Sequence, residues 1–231
     1  LGLIGAALSP VIAASFMSLV MLTKLAGSSV SVQLRFDRCK FEKSLFQDIF
    51  VVFLPASLSP VTTVATVLVL TGLAAQFGTT ALAGYGIGAR VEFLMIPLVF
   101  GIGTSMTAMV GANKGAKNII RAEKIGWAGG SLALCLSGIV GILLAVFPDV
   151  WIKYLTDDLA ILGEAKQYIQ IVGFFYGFQG LGLSLYFASQ GASAMKWPVV
   201  ATMTRFLIVC VGSLFVTYSV FDTIQTVYIF A

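Results

Sequence analysis

Residues 111–124 read GANKGAKNIIRAEK, and two architectures compete for them. A glycine-rich turn ending in Lys can wrap a phosphate in backbone N–H groups, which would place the stretch in a nucleotide-binding domain. The same residues can equally form the polar joint between two membrane helices. Spacing decides between them. A phosphate loop has four residues between its glycines, Lys directly after the second, and a hydroxyl next. Here three residues separate Gly111 from Gly115, Lys117 stands two places further on, and Asn118 follows it. The segment before Gly111 is rich in Met and Gly and does not read as a strand. The stretch is therefore a joint between helices.

Composition points the same way. Of 231 residues, 58% are hydrophobic and 10% charged, where a soluble domain carries about 25% charge. The mean hydropathy is +0.98. Glycine (24) and phenylalanine (18) are abundant, as suits helices that pack closely in lipid. The absence of His excludes a histidine metal site, a histidine general base and a histidine proton relay. Cys39, Cys135 and Cys210 are far apart and follow no CxxC pattern, so they read as free thiols with no metal.

Apolar stretches long enough to cross a bilayer, about 20 residues each, fall near 2–23, 46–74, 80–110, 125–147, 162–189 and 197–220, with a stub from about 223. The basic residues alternate with them. Lys24, Arg35, Arg38, Lys40 and Lys43 occupy the first connection, Lys114, Lys117, Arg121 and Lys124 the third, and Lys196 the fifth. The second has none, and the fourth, FPDVWIKYLTDD, sets Lys153 against Asp149, Asp157 and Asp158. By the positive-inside pattern, 24–45, 111–124 and 190–197 are cytoplasmic. The isoelectric point near 9.0 is then a consequence of topology and gives no argument for nucleic acid. The chain opens on Leu1 without a basic leader and stops within the apolar TVYIFA. It reads as an internal piece of a longer protein.

Within the spans, Pro55 and Pro60 interrupt the second and Pro97 the third, each removing a backbone hydrogen bond. Ser57, Ser59, Thr62 and Thr63 stand ready to satisfy freed carbonyls. Such a bend either serves packing alone or forms a hinge or cavity wall. Small residues four apart, Gly84/Gly88, Gly126/Gly130 and Gly173/Gly177, permit close helix contact. Ionisable groups are the sharper signal, since each costs a few kcal/mol in hydrocarbon unless paired or hydrated. Arg90, Glu92 and Arg205 are the clear cases. Arg90 and Glu92 lie about 200° apart around a helix, so they are not a simple pair. Glu92 is the one acid well inside a span; it is either a protonatable or cation-binding carboxylate or the structural partner of a base such as Arg90 or Arg205. Gln179, Tyr176, Gln190 and Gln76 add neutral polar groups, and the aromatic residues around Tyr176 offer a wall for a flat cation.

Residues 77–124, FGTTALAGYGIGARVEFLMIPLVFGIGTSMTAMVGANKGAKNIIRAEK, resemble the central stretch of the multidrug and toxic compound extrusion (MATE) family, with its fG…lAayGi..R…p run ending in mvGqn.GA. LGLIGAALSPVIA at the start is similar to that family's sixth helix, FPDVWIKYLTDD to its loop between the ninth and tenth helices, and FQGLGLSLYFASQGASAMKWP to its tenth helix and the loop after it. The resemblance implies an all-α polytopic membrane bundle, the second lobe of a twelve-helix transporter. Residues 1–24 would be the last helix of the first lobe, 25–45 the inter-lobe linker and 46–231 the second lobe, ending in the start of a sixth helix. It implies a monomeric antiporter of the plasma or inner membrane, exporting small organic cations or drugs in exchange for protons or sodium ions by rocking of two lobes. No other cofactor is called for.

One departure bears on the branch. NorM-like members carry carboxylates where this sequence has Thr63 and Gln179, so the chain resembles the DinF-like branch, in which the coupling acids belong to the first lobe. Thr63, Glu92, Gln179 and Tyr176 are the residues expected at the substrate or ion pathway, with Arg90, Arg205, Pro55, Pro60 and Pro97 as structural charges and hinges. A lipid-linked precursor flippase of the same superfamily would show a more basic cavity than Arg90 and Arg205 supply. A receptor or structural membrane module has the same hydropathy. An enzyme would need a catalytic constellation, and nothing in the sequence resembles one.

Overall fold

A computed structural model describes residues 2–27, 42–93, 95–218 and 224–229, and every element in them is helical. Most of the expected linker, with Arg35, Arg38, Cys39 and Lys40, lies outside the described residues. The chain divides into two compact units, 1–47 and 48–231. The first contains α1 (Gly2–Ala26), a long apolar helix with Pro10 inside it and exposed side chains such as Phe16, Leu19 and Leu22, as a lipid-facing surface requires. It ends in the first residues of α2 (Lys43–Gln76).

The second unit continues α2 and adds α3 (Thr79–Glu92), α4 (Met95–Gly115), α5 (Ile119–Val146), the short α6 (Pro148–Ile152), α7 (Leu159–Val172), α8 (Tyr176–Gly191), α9 (Lys196–Tyr218) and α10 (Ile224–Ile229). A single 3-10 turn, Gly173–Phe175, joins α7 to α8. Five stretches among the described residues are long and apolar enough to cross a membrane: Ala7–Ala26, Lys43–Gln76, Thr79–Gly115, Ile119–Val146 and Leu159–Gly191. The sixth expected span corresponds to α9, which carries Lys196 and Arg205 and is not among the five.

The third expected span, 80–110, lies within the single apolar stretch Thr79–Gly115, in which Phe93 keeps right-handed helical geometry with its N–H on Ala89 O and Leu94 is outside the described residues. α3 stops at Glu92 and α4 starts at Met95. Pro97, expected inside a continuous helix, sits instead in the first turn of α4, where a missing N–H costs no helical hydrogen bond.

α2 does run through Pro55 and Pro60. Pro60 deprives the Ala56 carbonyl of its helical donor, and in lipid such a group must find another. The Tyr186 hydroxyl of α8 donates to it at 3.0 Å. The nearby hydroxyls do not take that role. Ser57 donates to Leu54 O at 2.8 Å, Thr62 to Leu58 O at 3.0 Å and Ser59 O at 2.9 Å, and Thr63 to Ser59 O at 2.9 Å. All are bonds back along their own helix.

α5 and α8 form the most extensive contact, with α4 against both and α3 against α7; α2 makes no backbone approach comparable to these. Glycine sets the closeness. A Cβ on Gly177 would lie 3.3 Å from Gly138 Cα, and one on Gly173 would lie 2.9 Å from Gly141 O, so the two backbones touch directly. The core behind this contact holds Tyr85, Tyr168, Tyr176 and Tyr228, together with Leu144, Ile152 and Ile169. Cys135 and Cys210 are free thiols.

The joint at 111–124 closes by backbone geometry. Lys117 N bonds Lys114 O at 2.9 Å and Asn118 N bonds Asn113 O at 2.8 Å, the paired pattern of a Schellman cap with Lys117 in the left-handed region at φ 58. The Asn118 side chain then caps α5 by accepting from Arg121 N at 3.2 Å. The end of α8 repeats the device: Ser193 N bonds Gln190 O at 3.0 Å, Ala194 N bonds Ser189 O at 2.9 Å, and Ser193 has φ 53. Lys114 Nζ donates to Ala192 O, so a cation from one joint answers the helix terminus at the other.

The Tyr186 tie gives a double-mutant test in the full-length protein. Tyr186→Phe should cost about 1 kcal/mol of stability, and close to nothing in a Pro60→Ala background, where the restored N–H serves Ala56. Thermal unfolding of the four variants in detergent measures the coupling; equal costs in both backgrounds would show that the tie is not specific to the proline.

Candidate functional site

Gly84, Gly88 and Glu92 recur every four residues along α3 and share a face. α7 lies on that face. A Cβ on Gly84 would reach the Glu164 side chain and come 3.0 Å from Ala165 N, and a Cβ on Gly88 would run into the Tyr168 ring. With both positions bare, Tyr168 lies flat against α3 and its hydroxyl extends one turn further, donating to Glu92 Oε2 at 3.1 Å. The other carboxylate oxygen accepts from Gln179 Nε2 of α8 at 2.6 Å. Glu92 thus ties three helices together at the point where α3 ends.

Tyr168 itself is immobilised. Tyr85 meets it edge to face at 5.5 Å between ring centroids and Tyr228 does so at 5.2 Å. The Tyr228 hydroxyl donates to Glu164 Oε2 at 3.4 Å, one turn before Tyr168. A rigid ring is what gives a single hydroxyl bond a fixed direction.

Beside Glu92 is a small cavity of about 20 Å³, bordered also by Met95, Ser137, Tyr176 and Gln179. That is room for about one water or one small ion. Tyr176 is 1% exposed, and its hydroxyl has no hydrogen-bond partner. Leaving a buried hydroxyl unanswered costs roughly 1–3 kcal/mol, so its presence at an ion-sized space is informative. Ser137 donates to Ala133 O, which leaves its oxygen able to accept.

Three of the four expected pathway residues, Glu92, Gln179 and Tyr176, therefore converge on one cavity. Thr63 does not join them; it is exposed on α2 and bonded to Ser59 O. Arg90 and Arg205 are both exposed, and the one ion pair among the described residues is Lys166–Asp149 at 2.9 Å. Of the two readings left open for Glu92, pairing with a base is not seen among the described residues; its partners are two neutral donors. Tyr168 and Ser137 were not anticipated. The four-residue step from Gly88 to Glu92 carried a signal for a partner on that face, but identifying the partner required knowing that α7 packs there.

This arrangement defines a polytopic helical membrane bundle with a neutral-donor carboxylate at the end of α3. The MatE family model matches residues 55–215, and the chain belongs to that family. It is 27% identical over 205 residues to a protein of Thermotoga maritima called probable multidrug resistance protein NorM, an alignment covering 87% of this chain and 43% of that one. Among solved structures it superimposes on an outward-facing multidrug resistance MATE family transporter of the MOP superfamily with a TM-score of 0.89 at 21% identity, covering 99% of this chain and 52% of the other. A MOP superfamily transporter from Pyrococcus furiosus gives a TM-score of 0.84 at 20% identity, covering 96% and 50%. The chain spans about half the length of the relatives it matches.

The seat of Tyr168 can be probed directly. Gly88→Ala should lower stability by about 2 kcal/mol, because the ring must leave its place, whereas Gly86→Ala, with nothing within 4 Å of its added methyl, should be close to neutral. Melting temperatures of the two variants distinguish a built contact from a generic glycine effect.

Proposed function

We propose that this chain forms the second lobe of a MATE-type secondary antiporter of the plasma or inner membrane, which exports small organic cations or drugs in exchange for protons or sodium ions. Residues 1–24 are the last helix of the first lobe and 25–45 the linker, with 24–45, 111–124 and 190–197 on the cytoplasmic side. The full-length protein works as a monomer whose lobes rock around a central pathway. Glu92 is the coupling group of this half.

The observation that carries the reading is the pairing of Glu92 with two neutral donors beside the unpartnered Tyr176 hydroxyl. A carboxylate held by a base would have to break an ion pair before taking up a cation. Held by Tyr168 and Gln179, it can accept a proton or a small cation by reorienting one amide and one hydroxyl. The Tyr176 oxygen is free to join the bound ion or its water. Because Glu92 ends α3, neutralising it loosens the contacts among α3, α7 and α8 at that helix end, where a change in local bonding becomes a change in angle. Thr63 and Gln179 are neutral where NorM-like relatives have acids; that favours the DinF-like branch, whose coupling acids belong to the first lobe, and makes Glu92, the one acid well inside a span here, an addition to them rather than their counterpart. The exposed Arg90 and Arg205 give no basic cavity of the kind a lipid-linked anion would require, which disfavours the flippase reading.

Glu92→Gln in the full-length protein should lower drug resistance of expressing cells while leaving expression intact; undiminished resistance would remove Glu92 from the mechanism. Tyr176→Phe separates function from fold. Deleting an unanswered hydroxyl should raise stability by about 1 kcal/mol and yet reduce dye efflux from vesicles, and a variant as active as the parent would deny that hydroxyl a role.

A further inference from the structure

The segment FPDVWIKYLTDD at 147–158, between α5 and α7, has the charges of an aqueous connection but not its side-chain pattern. α6 opens it, and the helical winding carries on past Ile152: Lys153 N bonds Asp149 O at 3.4 Å and Thr156 N bonds Ile152 O at 3.3 Å. At about 100° per residue, three kinds of surface separate around this axis. Pro148 and Ile152 share one side and are buried, Ile152 completely, in the core that includes Ala165 and Ile169 of α7. Asp149 and Lys153 make a polar side, and Asp149 is paired with Lys166 of α7 at 2.9 Å. Phe147, Val150, Trp151, Tyr154 and Leu155 make the third side, and all five are exposed. Fastened to α7 by a buried aliphatic group and an ion pair, α6 cannot roll this third side inward.

What covers it follows from its neighbour. α5 is long and apolar enough to cross a membrane. Its buried residues include Ser137, Gly141 and Leu144, and the other side presents Ile139, Ile142, Leu143 and Val146, which therefore meet lipid. Phe147 leaves helical geometry at φ -120 and ψ 53, so α6 is a separate helix rather than an extension of the span. Val146 and Phe147 are nevertheless adjacent, and the apolar side of α6 adjoins the lipid-facing side of α5. Trp and Tyr at the end of a span, on a helix apolar on one side and charged on another, fit the boundary between headgroups and acyl chains. Asp157 and Asp158, both exposed, follow where the chain returns to water. A bilayer already in contact with α5 needs no second binding event to cover α6.

We propose that α6 is an interfacial anchor. It lies in the leaflet at the opposite end of α5 from the 111–124 joint, with Phe147, Val150, Trp151, Tyr154 and Leu155 at the acyl boundary and Asp149 and Lys153 toward water. The membrane surface thereby steadies α7, the helix whose Tyr168 holds Glu92. This placement does not depend on the transport reaction proposed above.

Full-length protein in nanodiscs of phosphatidylcholine, with bromine near the glycerol end of one acyl chain, tests this through the fluorescence that Trp151→Phe removes from the parent. That emission should fall about twofold relative to unbrominated lipid, and fall less when the bromine is near the methyl end. Aqueous iodide should leave it nearly unchanged. Lys153→Trp in the Trp151→Phe background moves the reporter to the polar side, where iodide should quench and bromine should not. Quenching of Trp151 by iodide alone would make α6 an aqueous loop. Shielding from both quenchers would place another protein surface, the first lobe or a second copy, over it. Equal responses from positions 151 and 153 would deny the two-sided arrangement. Each of these three results overturns the proposal.

Discussion

A backbone carbonyl without a donor cannot be left in hydrocarbon, and the second unit of this protein is organised around the places where helices create such groups. At three of these places the answer is visible. Pro60 frees the Ala56 carbonyl and Tyr186 reaches across from α8 to it. The ends of α4 and α8 close on themselves through left-handed residues. The caps are local, but the Tyr186 bond to Ala56 O and the Lys114 bond to Ala192 O come from far along the sequence and tie helices to one another.

The Glu92 node follows the same logic with a charge in place of a carbonyl. A carboxylate in a span must be satisfied, and the cheapest structural solution would be a base. The protein instead surrounds it with a phenol and an amide, each positioned by bare glycine surface or by packed rings. Neutral donors hold the group in place without committing its charge.

Much of this was legible in the residues. The hydropathy, the alternation of basic loops and the spacing of GANKGAKNIIRAEK led to the helical bundle, and burial cost alone singled out Glu92. What could not be read was anything depending on which helices meet. Ser57 and Thr63 seemed the natural partners for a freed carbonyl because they are close in sequence, whereas the donor that fits lies on α8. Thr63 was expected beside Gln179 on the strength of a family correspondence, but its hydroxyl turns back onto its own helix.

The bond from Lys114 to the Ala192 carbonyl spans 78 positions of sequence, and that separation imposes an order on biogenesis. During synthesis the α4–α5 hairpin is complete long before residue 192 leaves the ribosome. Throughout that interval Lys114, in the last turn of α4, has only its own helix terminus to serve. Only when α8 has entered the membrane can the two joints be fastened together. The lysine thus serves first the end of its own helix and later as a latch to α8, closing while α9 and α10 have still to be added.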